Sequence, residues 1–183
     1  MYPTITLTGG KEGNLPILTV ELAKQIQPHL PPLQKEASIW NLVYSLEQHG
    51  ISLATMFHNT PNKPALLVIK DTNKNVFGAF SNEGFKRQLG FYGNGSCFLW
   101  KKILEQSTEK VKVFKSTGSN NYHILSEIGA DIAFGGGTGK FGLWLDATLD
   151  NGYSSNCPTF ENEALSTTEN FHCDCVEVWQ FVI

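Results

Sequence analysis

Arginine is nearly missing from this chain: Arg87 stands alone among fourteen basic residues. Bidentate capture of phosphate favours the planar guanidinium, so a nucleic-acid-binding role is not expected. Long apolar runs are missing as well. None approaches the roughly 20 residues that a membrane-spanning helix needs, so no membrane insertion is expected. Met1-Tyr2-Pro3-Thr4 has neither the charged region nor the apolar block of a secretory leader, and an intracellular, soluble protein is the default expectation. Cysteine is sparse. Four in 183 residues outline no disulfide framework, and free thiols fit a reducing compartment. There is no Cys-x-x-Cys pair, low-complexity tract, coiled coil or internal repeat. Basic residues stop at Lys140: the first 140 residues carry fourteen basic and ten acidic side chains, the last 43 seven acidic ones and no basic one.

Across that boundary lies the stretch on which the chain turns, Asp131 to Phe160. Two short apolar runs, Asp131–Phe134 and Phe141–Leu145, flank Gly135-Gly136-Gly137-Thr138-Gly139-Lys140. A phosphate-cradling loop would need Gly, four residues, then Gly-Lys-Ser/Thr opening a helix. Phe134 stands where the first Gly belongs and Phe141 replaces the Ser/Thr. The following Gly-Leu-Trp-Leu alternates as a strand does. The glycines are therefore read as turning one antiparallel strand into the next.

The ordered set Ile132-Ala133-Phe134-Gly135-Gly136-Gly137, Leu143-Trp144-Leu145-Asp146, Gly152-Tyr153-Ser154 and Cys157-Pro158-Thr159-Phe160-Glu161-Asn162 resembles the TLDc domain, the module that closes the oxidation-resistance proteins. Upstream, Trp40-Asn41-Leu42-Val43-Tyr44-Ser45 with His49-Gly50-Ile51-Ser52-Leu53, Phe77-Gly78-Ala79-Phe80 and Tyr92-Gly93-Asn94-Gly95-Ser96-Cys97-Phe98-Leu99-Trp100 fit the same pattern, as does the terminal Val176-Glu177-Val178-Trp179. The resemblance covers residues 15–183, with residues 1–14 expected to be a flexible tail. It implies an α+β fold of two antiparallel β-sheets packed as a sandwich and flanked by helices. It also implies protection against oxidative stress through binding the vacuolar-type proton ATPase and control of its assembly. No cofactor is implied. A monomer in the cytoplasm is expected, reaching the vacuolar or lysosomal membrane through its partner, with mitochondrial or nuclear pools.

Local patterns agree with a β-rich domain. Thr19 is placed to cap a helix whose Leu18, Leu22 and Ile26 share one face, and Pro28 with Pro31-Pro32 is expected to end it. Trp40–Ser45 alternates as a half-buried strand, His49-Gly50 is a turn, and Ser52 caps a short helix over Leu53–Phe57. Asn59–Lys63 with Pro61 is a loop. Ala65–Lys70 and Asn75–Phe80 flank Asp71-Thr72-Asn73-Lys74 as a hairpin. Phe91–Trp100 enters another strand, and Val111–Phe114 and Asn121–Leu125 are short strands. Asp150-Asn151-Gly152 is read as a turn, and Cys173–Ile183 as a closing strand. Trp144 and Trp179, each in an alternating apolar run, are expected in the core.

Three sets of side chains are candidates for chemistry. A reactive thiol needs a neighbouring cation or helix N-terminus. Cys97 sits in an apolar run and reads as core, whereas Cys157, Cys173 and Cys175 are the redox candidates. His172-Cys173-Asp174-Cys175 looks metal-like, but structural zinc wants two ligand pairs, and both thiols are expected on one buried strand face with Glu177, Trp179 and Phe181. Glu47, Glu83 and Glu177 stand where TLDc relatives carry acids. Glu177, flanked by apolar residues, requires a hydrogen-bonding partner if buried. No serine nucleophile elbow can be drawn around Ser52, Ser154 or Ser155. The acidic set Asp150, Glu161, Glu163 and Glu169 is read as a face that steers a basic partner. A non-enzymatic binding module is thus the favoured reading, against direct oxidant scavenging by cysteine or a hydrolase built on the carboxylates.

Overall fold

The computed structural model describes residues 2–60, 62–127 and 131–183, so the Pro61 part of the expected loop lies outside the described residues. Strands dominate. In chain order they are β1 (Thr6–Thr8), β2 (Ile39–Ser45), β3 (Ala65–Asp71), β4 (Val76–Ser81), β5 (Gln88–Tyr92) and β6 (Phe98–Glu105), then β7 (Thr108–Lys115), β8 (Ile124–Ser126), β9 (Ile132–Phe134), β10 (Leu143–Leu145), β11 (Asn151–Tyr153) and β12 (Asn170–Val182). Among the described residues four short helices accompany them: α1 (Val20–Ile26), α2 (Pro32–Lys35), α3 (Leu46–His49) and α4 (Leu53–Asn59).

The helices begin where capping chemistry allows. The Thr19 hydroxyl accepts from Leu22 N, Ser45 from Gln48 N and Ser52 from Thr55 N, each satisfying an otherwise orphaned donor of a first turn. The α-helical run α1 ends at Ile26, ahead of Pro28, as expected, but Pro32 has another role. The chain passes from α1 into a 3₁₀ turn over Gln27–His29 that contains Pro28, and Pro32 opens α2. A proline in the first turn lacks only an N–H that would have had no partner.

Strand pairing forms one path, β5-β8-β9-β10-β11-β12-β3-β4-β6-β7, with β2 also beside β12 and β1 outside β2. Every pairing is antiparallel except β1 with β2. Thr6–Thr8, in the stretch expected to be a tail, thus adds a parallel edge strand. The hairpin β3–β4 has the register Ala65↔Ser81 through Lys70↔Val76. Asp71 closes its turn: Oδ1 accepts from the N–H groups of Asn73 and Asn75, both at 2.9 Å, and Oδ2 from Asn75 Nδ2 and the Ser166 hydroxyl. Asn151-Gly152, expected in a turn, instead pairs with β10 and β12 as β11; the turn lies earlier, at Asp146–Asp150. Asp146 organises it by accepting from Thr148 Oγ1, Asp150 N and Asn151 Nδ2, which leaves Asn151 free to start a strand.

Two apolar clusters lie on the two sides of β12, β3, β4 and β6. One gathers Leu67, Ile69, Phe77, Ala79 and Leu99 with Ile124, Ile132, Phe134, Leu143 and Leu145, so strands from both ends of the path share it. The other packs Trp40, Leu66, Val68, Phe80, Trp100 and Trp179 beneath Leu18, Leu22 and Ile26 of the α1 segment. Gly78 makes room for the indole of Trp100, which donates to Leu67 O at 3.3 Å; a Cβ there would fall 1.8 Å from that oxygen. At Gly135, with φ +81°, a Cβ would meet Cys157 Sγ at 2.5 Å, so the glycine-rich connection is a packing requirement. Trp179 is in the core, but Trp144 is only half-buried. Leu143 and Leu145 take the inward positions of β10, and the two-residue period turns Trp144 to the opposite face.

Candidate functional site

Glu177 lies in β12 with 2% of its surface exposed. Three donors meet its carboxylate: Ile17 N at 2.7 Å, Leu18 N at 3.3 Å and the Trp179 indole at 3.0 Å. It ties the segment ahead of α1 across the sheet. Burial nevertheless dominates and lifts its carboxyl above the ordinary range, against the pull of these hydrogen bonds. Glu47, exposed in the first turn of α3, borders the same groove with Leu15, Pro16 and Cys175. Glu83 is elsewhere. It pairs with Lys86 Nζ and accepts from Gly93 N, both at 2.9 Å, and the Lys86 hydrogen bond is the main cause of its lowered pKa. The three family-position acids therefore do not converge on one site.

The thiols are held in their protonated form. Cys97 and Cys157 are buried, with side-chain acceptors at Asn82 (3.2 Å) and Asn162 (3.3 Å), and burial raises both. Cys173 and Cys175 are pushed up to about 12, first by desolvation and then by carboxylates: Asp146, Asp150 and Asp71 around Cys173, Glu177, Glu47 and Asp174 around Cys175. The expectation that these two share a face fails. Cys173 pairs with Asp71 and Cys175 with Lys70, so Asp174 is an extra residue, and this bulge turns the thiols to opposite sides. Cys173 packs on the cluster that holds Phe171, while Cys175 borders the groove beside Glu47. Among the described residues no group of three or more His, Cys, Asp or Glu is placed to hold a metal ion.

The acidic set is exposed but uneven. Glu163 is engaged by Lys112 and, at 3.4 Å, by Lys101 on the β6–β7 hairpin, and the Lys112 contact leads in holding its carboxyl low. Asp150 lies 3.9 Å from His172, and Glu169 accepts from the Ser155 hydroxyl at 2.8 Å. Glu161 is exposed in left-handed backbone, φ 45°. The single-sign run read from sequence is therefore partly neutralised across the fold by the basic hairpin.

A surface that the sequence reading passed over lies on the outward side of β8–β10. A pocket of about 180 Å³ is lined there by Leu125, Glu127, Asp131, Ala133, Phe141 and Trp144. The alternation of β10 contains the signal, since Leu143-Trp144-Leu145 cannot bury all three side chains in one face.

The family model for the TLDc domain matches residues 12–182. Oxidation resistance protein 1 of Bos taurus is 41% identical over 169 residues, which is 91% of this chain and 18% of that protein. Oxidation resistance protein 1 of Yarrowia lipolytica is 39% identical over 174 residues, 90% of this chain and 73% of that protein. Nuclear receptor coactivator 7 of Homo sapiens is 41% identical over 152 residues, 82% of this chain and 16% of that protein. The chain thus spans less than a fifth of the mammalian relatives it matches. With a match from residue 12 to residue 182 and identities near two in five over most of its length, the chain belongs to the TLDc domain family.

Proposed function

We propose that this chain is a non-enzymatic regulatory module of oxidative-stress resistance that works by docking to another protein. The vacuolar-type proton ATPase is the partner that the family resemblance suggests, and control of its assembly is the proposed effect. The fold reading that accompanies this is a sandwich, in which the two ends of the strand path face each other across the shared apolar cluster. Relatives named for oxidation resistance support the cellular role. The state of the thiols carries the choice of docking over scavenging. A peroxide-reducing cysteine needs a stabilised thiolate, and here burial and surrounding carboxylates favour the thiol at Cys97, Cys157, Cys173 and Cys175. Asp150, Glu161 and Glu169 are the acids proposed to steer a basic partner, with Glu163 shared by its lysines.

The test combines two measurements on the purified chain and on a variant with all four cysteines replaced by serine or alanine. Peroxide consumption by the wild type, supplied with a thiol reductant, is expected to be slow and stoichiometric. The folded variant is expected to retain both protection of cells and co-purification with the proton ATPase. Sustained turnover that one cysteine replacement abolishes would overturn the docking reading in favour of scavenging.

A further inference from the structure

We propose that the outward face of β8–β10 docks a basic, extended segment of another protein, seating an arginine or lysine side chain against Trp144 between Glu127 and Asp131. This rests on the reading of the chain as a binding module. Register supplies the surface. Phe91, Leu125, Ala133, Trp144 and Tyr153 are consecutive cross-strand partners on five adjacent strands. Their sequence neighbours Ile124, Ile132, Phe134, Leu143 and Leu145 fill the core, so the two-residue period turns this row outward. Phe91 is 37% exposed and packs in a tilted contact, ring centroids 4.9 Å apart, on Tyr122, itself 43% exposed. Aromatic side chains of this kind are what protein interfaces concentrate at their centres.

Charge selects the occupant. The pocket at Trp144 contains two carboxylates and no cationic side chain among its lining residues. Among the described residues no ion pair within 4.0 Å joins Glu127 or Asp131 to a basic group. Asp131 uses Oδ1 to accept from Ala147 N at 3.0 Å, leaving Oδ2 available. Arg87 approaches the Glu127 backbone, giving Nη1 to its carbonyl oxygen at 2.9 Å, while its guanidinium lies over Phe57 at 4.6 Å. An incoming guanidinium or ammonium would gain both the carboxylates and the indole face. An acidic segment would meet like charge at the same place, which sets the sign of the partner.

Trp40, Trp100 and Trp179 are at most 1% exposed, so Trp144 is the tryptophan whose emission answers to a ligand here. The probe is a short fluorescein-labelled peptide alternating leucine and arginine, titrated into the 183-residue chain at low and high salt. Saturable binding, a shift in tryptophan emission and weakening by salt are expected. The double variant Glu127→Gln/Asp131→Asn, which keeps an acceptor for Ala147 N, should bind about tenfold more weakly, and Trp144→Ala likewise. Near-ultraviolet circular dichroism of the double variant guards against misfolding. The proposal is overturned if the double variant binds as tightly as wild type, if a leucine–glutamate peptide binds equally well, or if the arginine peptide does not bind. Carrying both variants through the co-purification above separates the two readings. Undiminished recovery of the proton ATPase would overturn this surface and leave the docking module standing. Catalytic peroxide turnover would overturn the module without altering the peptide titration.

Discussion

A carboxylate taken out of water must find donors or give up its charge, and Glu177 does some of each. Three hydrogen bonds favour its ionised form while burial favours the neutral one, and burial prevails, so the folded pKa lies above the ordinary 4.5. For a folded pKa above the unfolded one, the stabilising contribution is complete below 4.5 and fades as pH rises through the folded value. Wild type should therefore gain stability relative to Glu177→Gln as pH falls through the raised folded value toward 4.5, measured by urea unfolding. A difference that does not change with pH would mean that donors and burial cancel, and one that shrinks as pH falls would mean that the donors outweigh burial. Tryptophan supplies a second residue-scale contrast. Trp179→Ala should cost about 3–5 kcal/mol, the usual range for a buried large aromatic. Trp144→Ala, which removes only part of its surface from contact, should cost about 1–2 kcal/mol. Chemical denaturation of both variants checks the ordering, and equal costs would contradict the outward placement of Trp144. The sequence made the burial of Glu177 legible through its apolar neighbours. Two of its three donors were not, because Ile17 and Leu18 stand 160 and 159 residues away in the chain.

At the level of elements, turn chemistry explains which segments could be read and which could not. The β3–β4 hairpin was readable because Asp71-Thr72-Asn73-Lys74 is polar between two β-branched and aromatic runs. Asp71 proves to hold more than the turn, since Ser166 reaches it from the loop before β12. Asp71→Ala would leave the N–H groups of Asn73 and Asn75 without their acceptor and release that loop. A loss of about 2–4 kcal/mol is expected from the several bonds involved, read as a lower denaturant midpoint. Asp71→Asn, retaining one acceptor oxygen, should lose less. By contrast, the faces of β12 could not be read. Strict alternation puts Cys173 and Cys175 together, and only an extra residue at Asp174 separates them. A bulge changes parity without changing composition, so periodicity alone cannot reveal it. The edge of β7 shows another such contact: Gln25 of α1 gives Nε2 to Glu109 O at 3.0 Å and accepts from Val111 N at 2.8 Å. One side-chain amide there stands in for the strand that an open edge would otherwise recruit.

For the molecule as a whole, the family pattern carried the family itself and a β-rich class of fold, both of which depend on many weak signals in order. The candidate surface was less legible. Charge counted along the chain suggested an acidic last third, whereas Lys101 and Lys112, far upstream, fold onto Glu163. The row from Phe91 to Tyr153 draws on five strands and exists only once their register is known. One feature of the path bears on how the protein is made. β12 lies beside β11, β2 and β3, and its Glu177 secures the segment that leads into α1. It is also among the last residues of the stretch to leave a ribosome. At roughly 5–20 residues per second, synthesis of the preceding strands occupies on the order of ten to thirty seconds, far longer than the milliseconds to seconds in which β-rich domains fold. Once β3 has been made, it and β2 wait through the rest of that interval with a vacant place between them, and the apolar residues of both clusters are incompletely covered. The time this chain spends exposed to chaperones, proteases and neighbouring nascent chains is accordingly set by the pace of translation.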